Sequence, residues 1–252
     1  MKGAALVTGA GKRIGRAIAL ALAEDGYDVA VHYGASKTDA DAVVAAIEAK
    51  GRRAEAFAAD LAREAETQKL IGAVAKTLGP LTCLVNNASL FERDEALTVT
   101  RESWDAHFET NLRAPFVLMQ EFARQLLAGA EGSVVNILDE RVWNLTPYFT
   151  SYTVSKAALW TLTQTMALAL APRIRVNGIG PGPTLPSPRQ SDKQFRQQVD
   201  LLPLRRGTTP DEIARTVMFI LESPAMTGQM IALDGGQHLN WAPTSRVPPA
   251  SE

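Results

Sequence analysis

Hydrophobic residues along the chain fall into short continuous runs, and longer amphipathic stretches separate these runs. The runs predict β-strands at Ala4–Thr8, Asp28–Tyr33, Glu55–Ala59, Cys83–Asn86, Ser133–Leu138, Ile174–Ile179 and Met230–Leu233. The intervening stretches predict helices at Arg13–Glu24, Thr38–Lys50, Glu64–Leu78, Glu102–Leu127, Tyr152–Leu170 and Pro210–Glu222. Continuous apolar strands that alternate with helices are typical of a parallel sheet covered on both faces. The pattern therefore predicts an α/β fold with one Rossmann-type, doubly wound parallel sheet of about seven strands.

The alternation persists along the chain, so we expect a single domain over residues 1–241. Residues 181–206 break the pattern and are rich in Pro, Arg, Gln and Ser. This composition favours a substrate loop with a short helix that covers a site. Residues 242–252 lack periodicity and are predicted to form a flexible tail.

Composition and charge exclude several classes of function. The net charge of −1 argues against nucleic acid or a membrane surface as the main partner, because both require a concentrated basic field. No apolar run reaches the ~20 residues of a membrane span, and the first residues lead directly into a strand, so we expect a cytoplasmic protein. Cys83 is the single cysteine, and His107 and His238 lack companions at ligand spacing, so we expect no metal site.

A tyrosine and a lysine stand four residues apart at the start of an apolar helical segment, in the run SYTVSKAAL. Tyr152 and Lys156 therefore lie on one helical face, with their Cβ atoms about 5–6 Å apart. A lysine ammonium group near a phenol stabilises the phenolate and lowers the tyrosine pKa. The pair predicts a proton donor that works near neutral pH.

A glycine-rich turn joins the first predicted strand to the first helix, in TGAGKRIGRAIA from Thr8 to Ala19. Glycines at such a turn let the backbone approach a pyrophosphate, which the helix N-terminus then binds through its free N–H groups. The second strand ends without the carboxylate that NAD enzymes place there, and Asp39 is the first acidic residue beyond it. NADPH is therefore the favoured cofactor, with donors for its 2′-phosphate from Lys12, Arg13, His32 and Ser36.

These motifs resemble those of the short-chain dehydrogenase/reductase family along the whole chain. The family has a glycine where this chain has Arg13 and a serine where it has Asp139. Both departures resemble the pteridine reductases, whose active site carries Asp, Tyr and Lys. The resemblance implies an NADPH-dependent reductase, a homotetramer, that acts on a small dihydropterin or dihydrofolate.

The resemblance also implies roles for individual residues. The implied catalytic residues are Asp139, Tyr152, Lys156 and Asn111, of which Asn111 distorts its helix and links Lys156 to solvent through water. The expected cofactor contacts are Gly9, Lys12, Arg13, Ile14, Gly15, His32, Tyr33, Ser36, Asp60, Leu61, Asn87, Ala88, Tyr152, Lys156, Pro181, Gly182 and Thr184. The expected substrate contacts are Arg13, Ser89, Phe91, Asp139, Trp143 and Tyr152, with Phe91 stacked on the flat pterin.

Asp139 carries most of the argument about the substrate. A carboxylate repels the alkoxide that develops from a carbonyl, whereas an imine nitrogen needs a proton that a carboxyl group can deliver. Two other readings stay open. In the first, the protein reduces a carbonyl such as a 3-oxoacyl thioester, and Asp139 is incidental. In the second, it binds NADP(H) as a regulator without turnover, which the presence of Tyr152 and Lys156 disfavours.

Overall fold

The computed structural model describes residues 2–187 and 189–239. In these residues seven strands form one sheet, in the order β3-β2-β1-β4-β5-β6-β7, and every neighbouring pair is parallel. The strands are β1 Ala4–Val7, β2 Asp28–Tyr33, β3 Ala54–Ala58, β4 Leu81–Asn86, β5 Gly132–Ile137, β6 Ile174–Pro181 and β7 Met230–Leu233. The predicted fold class is thereby confirmed. The tail predicted at residues 242–252 lies outside the described residues.

Helices cover both faces of the sheet. They are α1 Arg13–Glu24, α2 Lys37–Glu48, α3 Glu64–Leu78, α4 Arg101–Phe108, α5 Ala114–Gln125, α6 Thr150–Leu170, α7 Asp192–Asp200 and α8 Pro210–Leu221. Helices α1, α2 and α8 pack on one face, and α3, α5 and α6 pack on the other. Leu6 and Val7 of β1 enter opposite cores, because successive side chains of a strand point to opposite faces.

The helix predicted at Glu102–Leu127 is wrong as a single α-helix. Helices α4 and α5 are joined by a π-helical turn, Glu109–Arg113, in which the N–H of Ala114 bonds the carbonyl of Glu109. Pro115 has no N–H, so the carbonyl of Asn111 cannot make its ordinary bond four residues on. The turn places Asn111 in a fully buried position.

The strand order locates the functional crevice. Strand β1 pairs with β2 on one side and with β4 on the other, so the connections leave β1 and β4 in opposite directions. In open α/β sheets, ligands bind at this point, outside the carboxyl ends of the strands. The glycine-rich turn follows β1 and the Asn86–Ser89 segment follows β4, so both lie at the crevice.

The expected homotetramer stays a prediction. Val154 and Leu168 of α6 are exposed apolar residues, which a partner surface would cover. No helix in residues 2–187 and 189–239 has the length and hydropathy to span a membrane. Within the same ranges, no group of three or more His, Cys, Asp or Glu side chains could hold a metal ion.

Leu118→Ala should lower the free energy of unfolding by about 2–5 kcal/mol, because Leu118 is fully buried between α5 and the sheet. The matched control is Leu97→Ala, at a side chain that is 99 % exposed, which should change that free energy by less than about 0.5 kcal/mol. Urea denaturation measures both. Equal losses in the two variants would contradict the core described above.

Candidate active site

The glycine-rich turn is built for close approach by an anion. Gly9 has a φ of +62°, and a Cβ added at Gly15 would lie 2.2 Å from the carbonyl oxygen of Gly9. Helix α1 starts after Lys12 with no side-chain cap and no acidic residue in its first turn. Its first N–H groups and its positive dipole end therefore remain available, and the turn fits a pyrophosphate.

Hydrogen bonds hold the ends of β1 and β4 together beside this turn. The Asn87 side chain donates to the carbonyls of Thr8, at 2.8 Å, and Gly9, at 3.2 Å. The Thr8 hydroxyl accepts from the N–H groups of Asn87 and Ala88, each at 2.9 Å. Asn87 therefore holds the turn in place, and it also lines the cavity that contains Tyr152 and Asp139.

His32 has a different role from the one expected. Its Nδ1 accepts from the N–H of Gly9 at 3.0 Å, so Nε2 carries the proton and donates to the carbonyl of Ala59 at 3.1 Å. The ring is 2 % exposed, and burial lowers the pKa of His32. The neutral imidazole is thus fully used in tying the glycine turn to β3. It has no donor left for a cofactor phosphate.

A cleft of about 430 Å³ opens beside the ends of β2 and β3. Its lining contains Gly9, His32, Gly34, Ala35, Ala59, Asp60, Leu61 and Ala88. The described residues on its wall do not include Lys12, Tyr33 or Ser36. Lys12 instead pairs with Asp39 at 2.8 Å, where both side chains are partly exposed. The cleft suits the adenosine half of the expected cofactor. It presents fewer hydrogen-bond donors to the 2′-phosphate than the sequence predicts.

Tyr152 contacts the Asp139 carboxylate directly. The Tyr152 hydroxyl donates to Oδ2 of Asp139 at 2.7 Å. Asp139 also caps a short 3₁₀ turn, Glu140–Val142, by accepting from the N–H of Arg141 at 2.9 Å. The Arg141 guanidinium lies 3.3 Å from the same carboxylate. Both groups line a cavity of about 280 Å³ at the carboxyl end of the sheet.

The expected lowering of the tyrosine pKa is not what this geometry produces. Burial raises the pKa of Tyr152 well above its usual value, and the Asp139 carboxylate raises it further. Lys156 lies 5.9 Å from the centre of the tyrosine ring and donates to the carbonyl of Ile137 at 2.8 Å. Burial lowers the pKa of Lys156 to about 8. The protonated form of Tyr152 is therefore favoured near neutral pH.

Asn111 braces the loop after β4 against α6. Its Oδ1 accepts from the N–H of Leu90 at 2.8 Å and from the Ser89 hydroxyl at 3.1 Å. Its Nδ2 donates to the carbonyl of Leu90 at 2.9 Å and to the Ser155 hydroxyl at 3.1 Å. The π-turn thus directs Asn111 at the two segments that carry Ser89 and Tyr152. A water link from Asn111 to Lys156 stays a prediction.

The aromatic rings of Phe91 and Tyr152 line the cavity, and Phe149 packs behind Phe91. Phe91 stacks on Phe149 with ring centres 4.5 Å apart and meets the edge of Tyr152 at 4.7 Å. The Arg141 guanidinium carbon lies 5.4 Å from the centres of both phenylalanine rings. Phe149 has a left-handed φ of 59°, and its N–H bonds the carbonyl of Asp94. This wall suits a flat ligand.

The opposite wall comes from residues 181–206, which contain α7 as expected of a loop with a short helix. Pro181, Gly182 and Thr184 line the cavity, as do Arg13 and Ile14. Arg13, at an unusual φ of 52°, donates to the carbonyls of Leu185 at 3.2 Å and Pro186 at 3.0 Å. Arg13, which stands where the family has a glycine, therefore connects the glycine-rich turn to the loop at residues 181–206.

Trp143 lies outside the cavity, contrary to the expectation that it forms part of the wall. Its ring meets Trp160 edge-on at 6.4 Å and His238 at 5.3 Å, and its side chain is 45 % exposed. The 3₁₀ turn is the physical reason, because it directs the residues after Asp139 along different paths. Glu140 and Arg141 enter the cavity wall, and Trp143 leaves it.

Comparison with known proteins supports the family resemblance. The family model described as short chain dehydrogenase matches residues 3–197. The chain belongs to the short-chain dehydrogenase family. A 3-oxoacyl-(acyl-carrier-protein) reductase, FabG, from Staphylococcus epidermidis is 36 % identical over 244 residues, which are 95 % of this chain and 100 % of that protein.

Solved structures of similar proteins contain a nicotinamide cofactor. FolM, titled alternative dihydrofolate reductase 1, from Brucella suis in complex with NADP is 46 % identical, with a TM-score of 0.93 over 96 % of this chain and 98 % of that one. A short chain dehydrogenase from Burkholderia cenocepacia in complex with NADP is 36 % identical, with a TM-score of 0.87 over 94 % and 98 % of the two chains.

The short-chain dehydrogenase motifs did not reveal Glu140, Arg141 or Gln237, all of which line the cavity. Glu140 and Arg141 directly follow Asp139, so their position at the end of β5 was the available signal. Burial first, and then the charge of Asp139, raise the pKa of Glu140 to about 8. Gln237 follows β7 in a short 3₁₀ turn, for which the sequence offers no motif.

Ultraviolet titration should show Tyr152 ionising well above the pH at which an ordinary tyrosine ionises, because burial and the Asp139 carboxylate both disfavour the phenolate. Subtracting the curve of Tyr152→Phe isolates this transition. Asp139→Asn should lower the Tyr152 pKa, since the charge is removed while the burial remains. Asp211→Asn, at an exposed residue of α8, should leave it unchanged. An unaltered Tyr152 pKa in Asp139→Asn would contradict the contact.

Proposed function

We propose that the protein is an NADPH-dependent reductase that reduces a ring C=N bond of a dihydropterin or dihydrofolate. The observation that carries the proposal is the 2.7 Å hydrogen bond from Tyr152 to the carboxylate of Asp139. This pair occupies the place where the family has tyrosine and serine, and it suits a substrate nitrogen that must gain a proton. The free α1 N-terminus and the uncrowded glycine turn fit the cofactor's pyrophosphate.

When bound, NADPH supplies the hydride, and this chain's residues manage binding and protons. Phe91 presents a ring to the flat substrate, and residues of the loop, among them Phe195, line the same cavity. Tyr152 donates its proton to the ring nitrogen as the carbon is reduced, and the nearby Lys156 ammonium stabilises the phenolate that results. The Asp139 carboxyl group accepts hydrogen bonds from the substrate's amino groups and exchanges protons with Tyr152.

The comparisons support this substrate class in part. The Brucella suis protein that is 46 % identical is titled an alternative dihydrofolate reductase and was crystallised with NADP. Arg13, Ser89 and Phe91, which departed from or extended the general family motif, all line the same cavity as Asp139. Three residues that support a pterin substrate therefore line one cavity.

A second candidate is a carbonyl reductase acting on a 3-oxoacyl thioester. The full-length similarity to the staphylococcal reductase favours it. The site disfavours it, because Asp139 offers a carboxylate where a developing alkoxide needs a hydrogen-bond donor. Direct comparison of the two substrate classes separates the candidates.

Asp139→Ser should lose most dihydropterin reduction, by about a hundredfold or more, because the carboxyl group that exchanges a proton with Tyr152 is removed. Reduction of an acetoacetyl thioester should be unchanged or raised, since serine still donates to a carbonyl oxygen. NADPH oxidation with dihydrobiopterin, dihydrofolate and the thioester measures both effects.

Tyr152→Phe is the control, and it should lose 10²–10⁴-fold in rate on either substrate while it still binds NADPH. If Asp139→Ser reduced the dihydropterin as fast as the wild type, Asp139 would be incidental. The carbonyl reductase would then become the better description.

NADPH should bind at least about tenfold more tightly than NADH, a difference of about 1.4 kcal/mol. Asp39→Asn should increase this preference, because the Asp39 carboxylate now pairs with Lys12 and repels a 2′-phosphate. Lys12→Gln should decrease it. Fluorescence titration measures both cofactors, and NADH serves as the internal control. Equal curves for NADPH and NADH in the wild type would contradict the cofactor assignment.

A further inference from the structure

Glu140 is a second carboxyl group in the wall of the active-site cavity, next to Asp139 in the chain. The residue is 2 % exposed, and its Oε2 has no hydrogen-bond partner among the described residues. An ionised carboxylate that is buried without a donor is strongly disfavoured, whereas the protonated form is neutral. The placement of Glu140 alone therefore favours a carboxylic acid over a carboxylate.

The charges around Glu140 favour the same form. Asp139 adjoins it on the same turn, and Asp234 faces it from the end of β7, where Asp234 also pairs with His238 at 2.7 Å. Arg141 opposes them, but its guanidinium lies 3.3 Å from the Asp139 carboxylate.

Helix α6 contributes two further titratable groups to this surrounding. They are Tyr152, which is neutral and bonded to Asp139, and Lys156, which donates to the carbonyl of Ile137. Neither α6 group is bonded to Glu140. Neither cation, Arg141 nor Lys156, donates to Oε2 of Glu140, so burial beside Asp139 and Asp234 leaves the proton on Glu140.

We propose that Asp139 and Glu140 act as a carboxyl pair that holds one proton at neutral pH, and that Glu140 stores this proton for the reduction. The proposal rests on the proposed reduction of a ring C=N bond. A lone aspartate is ionised at neutral pH and has no proton to give, so the site needs a second acid. Glu140 is therefore a positioning residue. It holds the stored proton and acts on the substrate through Asp139 and Tyr152.

The proton balance of one turnover follows. The ring carbon gains the hydride with its two electrons, the C=N π bond breaks, and the nitrogen forms its N–H bond with the proton of Tyr152. Glu140 gives its stored proton to the Asp139 carboxylate, which passes a proton to the tyrosine phenolate across their 2.7 Å hydrogen bond. Solvent then reprotonates Glu140. The net change is one hydride and one proton added to the substrate.

Infrared spectroscopy tests the stored proton without any turnover. The wild type at pH 7 should show the C=O stretching band of a protonated carboxyl group, and Glu140→Gln, which matches its shape, should lack that band. Glu48→Gln, at an exposed glutamate of α2, should keep it. Asp139→Asn should keep the band but lose it at a lower pH, because a neighbouring negative charge is gone. A wild type without the band, or a band that survives Glu140→Gln, would overturn the proposal.

Kinetics test the use of the proton. With dihydrobiopterin, Glu140→Gln should lower kcat at least about tenfold with KM within about twofold, because the stored proton is lost while the substrate contacts remain. Glu140→Asp, which still holds a proton, should restore part of kcat. If kcat of Glu140→Gln equalled that of the wild type, the proposal that Glu140 stores a proton for the reduction would be refuted. If the band behaves as stated but no dihydropterin is reduced by the wild type, the proposed function fails and the carboxyl pair stands.

Discussion

The hydrogen bond between Tyr152 and Asp139 depends on where α6 begins relative to the end of β5. Asp139 lies two residues past the end of β5, while Tyr152 lies in the first turn of α6, whose N-cap residue Phe149 provides no side-chain cap. Asp94 supplies the missing cap from another loop, because its carboxylate accepts from the N–H of Ser151 at 3.1 Å and from the Ser151 hydroxyl. The same carboxylate accepts from the Ser103 hydroxyl on α4 at 2.8 Å. The buried Asp94 carboxylate thus fixes the position of Tyr152.

Much of the fold could be predicted from the sequence, because each strand of a parallel sheet buried on both faces is a continuous apolar run. The apolar runs predicted the first and last residues of β2 and β7 correctly, since Asp28 and Met230 follow clear breaks in the pattern. The π-turn between α4 and α5 was harder, because its cause is one missing N–H at Pro115 within an otherwise helical pattern. Periodicity is insensitive to a single hydrogen bond.

The candidate site could be predicted where a motif fixes backbone geometry, and less well where side chains choose among partners. Gly9, Gly15, Tyr152 and Lys156 lie where their spacing indicated, because a turn and a helix face leave few alternatives. His32 was expected as a donor, yet both of its nitrogens bond backbone groups from segments remote in the chain. The sequence states which groups can form hydrogen bonds, whereas tertiary packing decides with which partners.

The two residues that depart from the family pattern, Arg13 and Asp139, line the same cavity. Arg13 enters the cavity from the phosphate turn and Asp139 from the end of β5, so a guanidinium and a carboxylate face the same space from different elements. Such a space suits a ligand with both acceptors and N–H donors along one flat edge, as a pterin has. In a site built for a simple carbonyl, the half-buried carboxylate of Asp139 would raise the energy of the developing oxyanion. Under the proposed function, a heterocyclic substrate would use both groups, and Glu140, next to Asp139, would supply the stored proton.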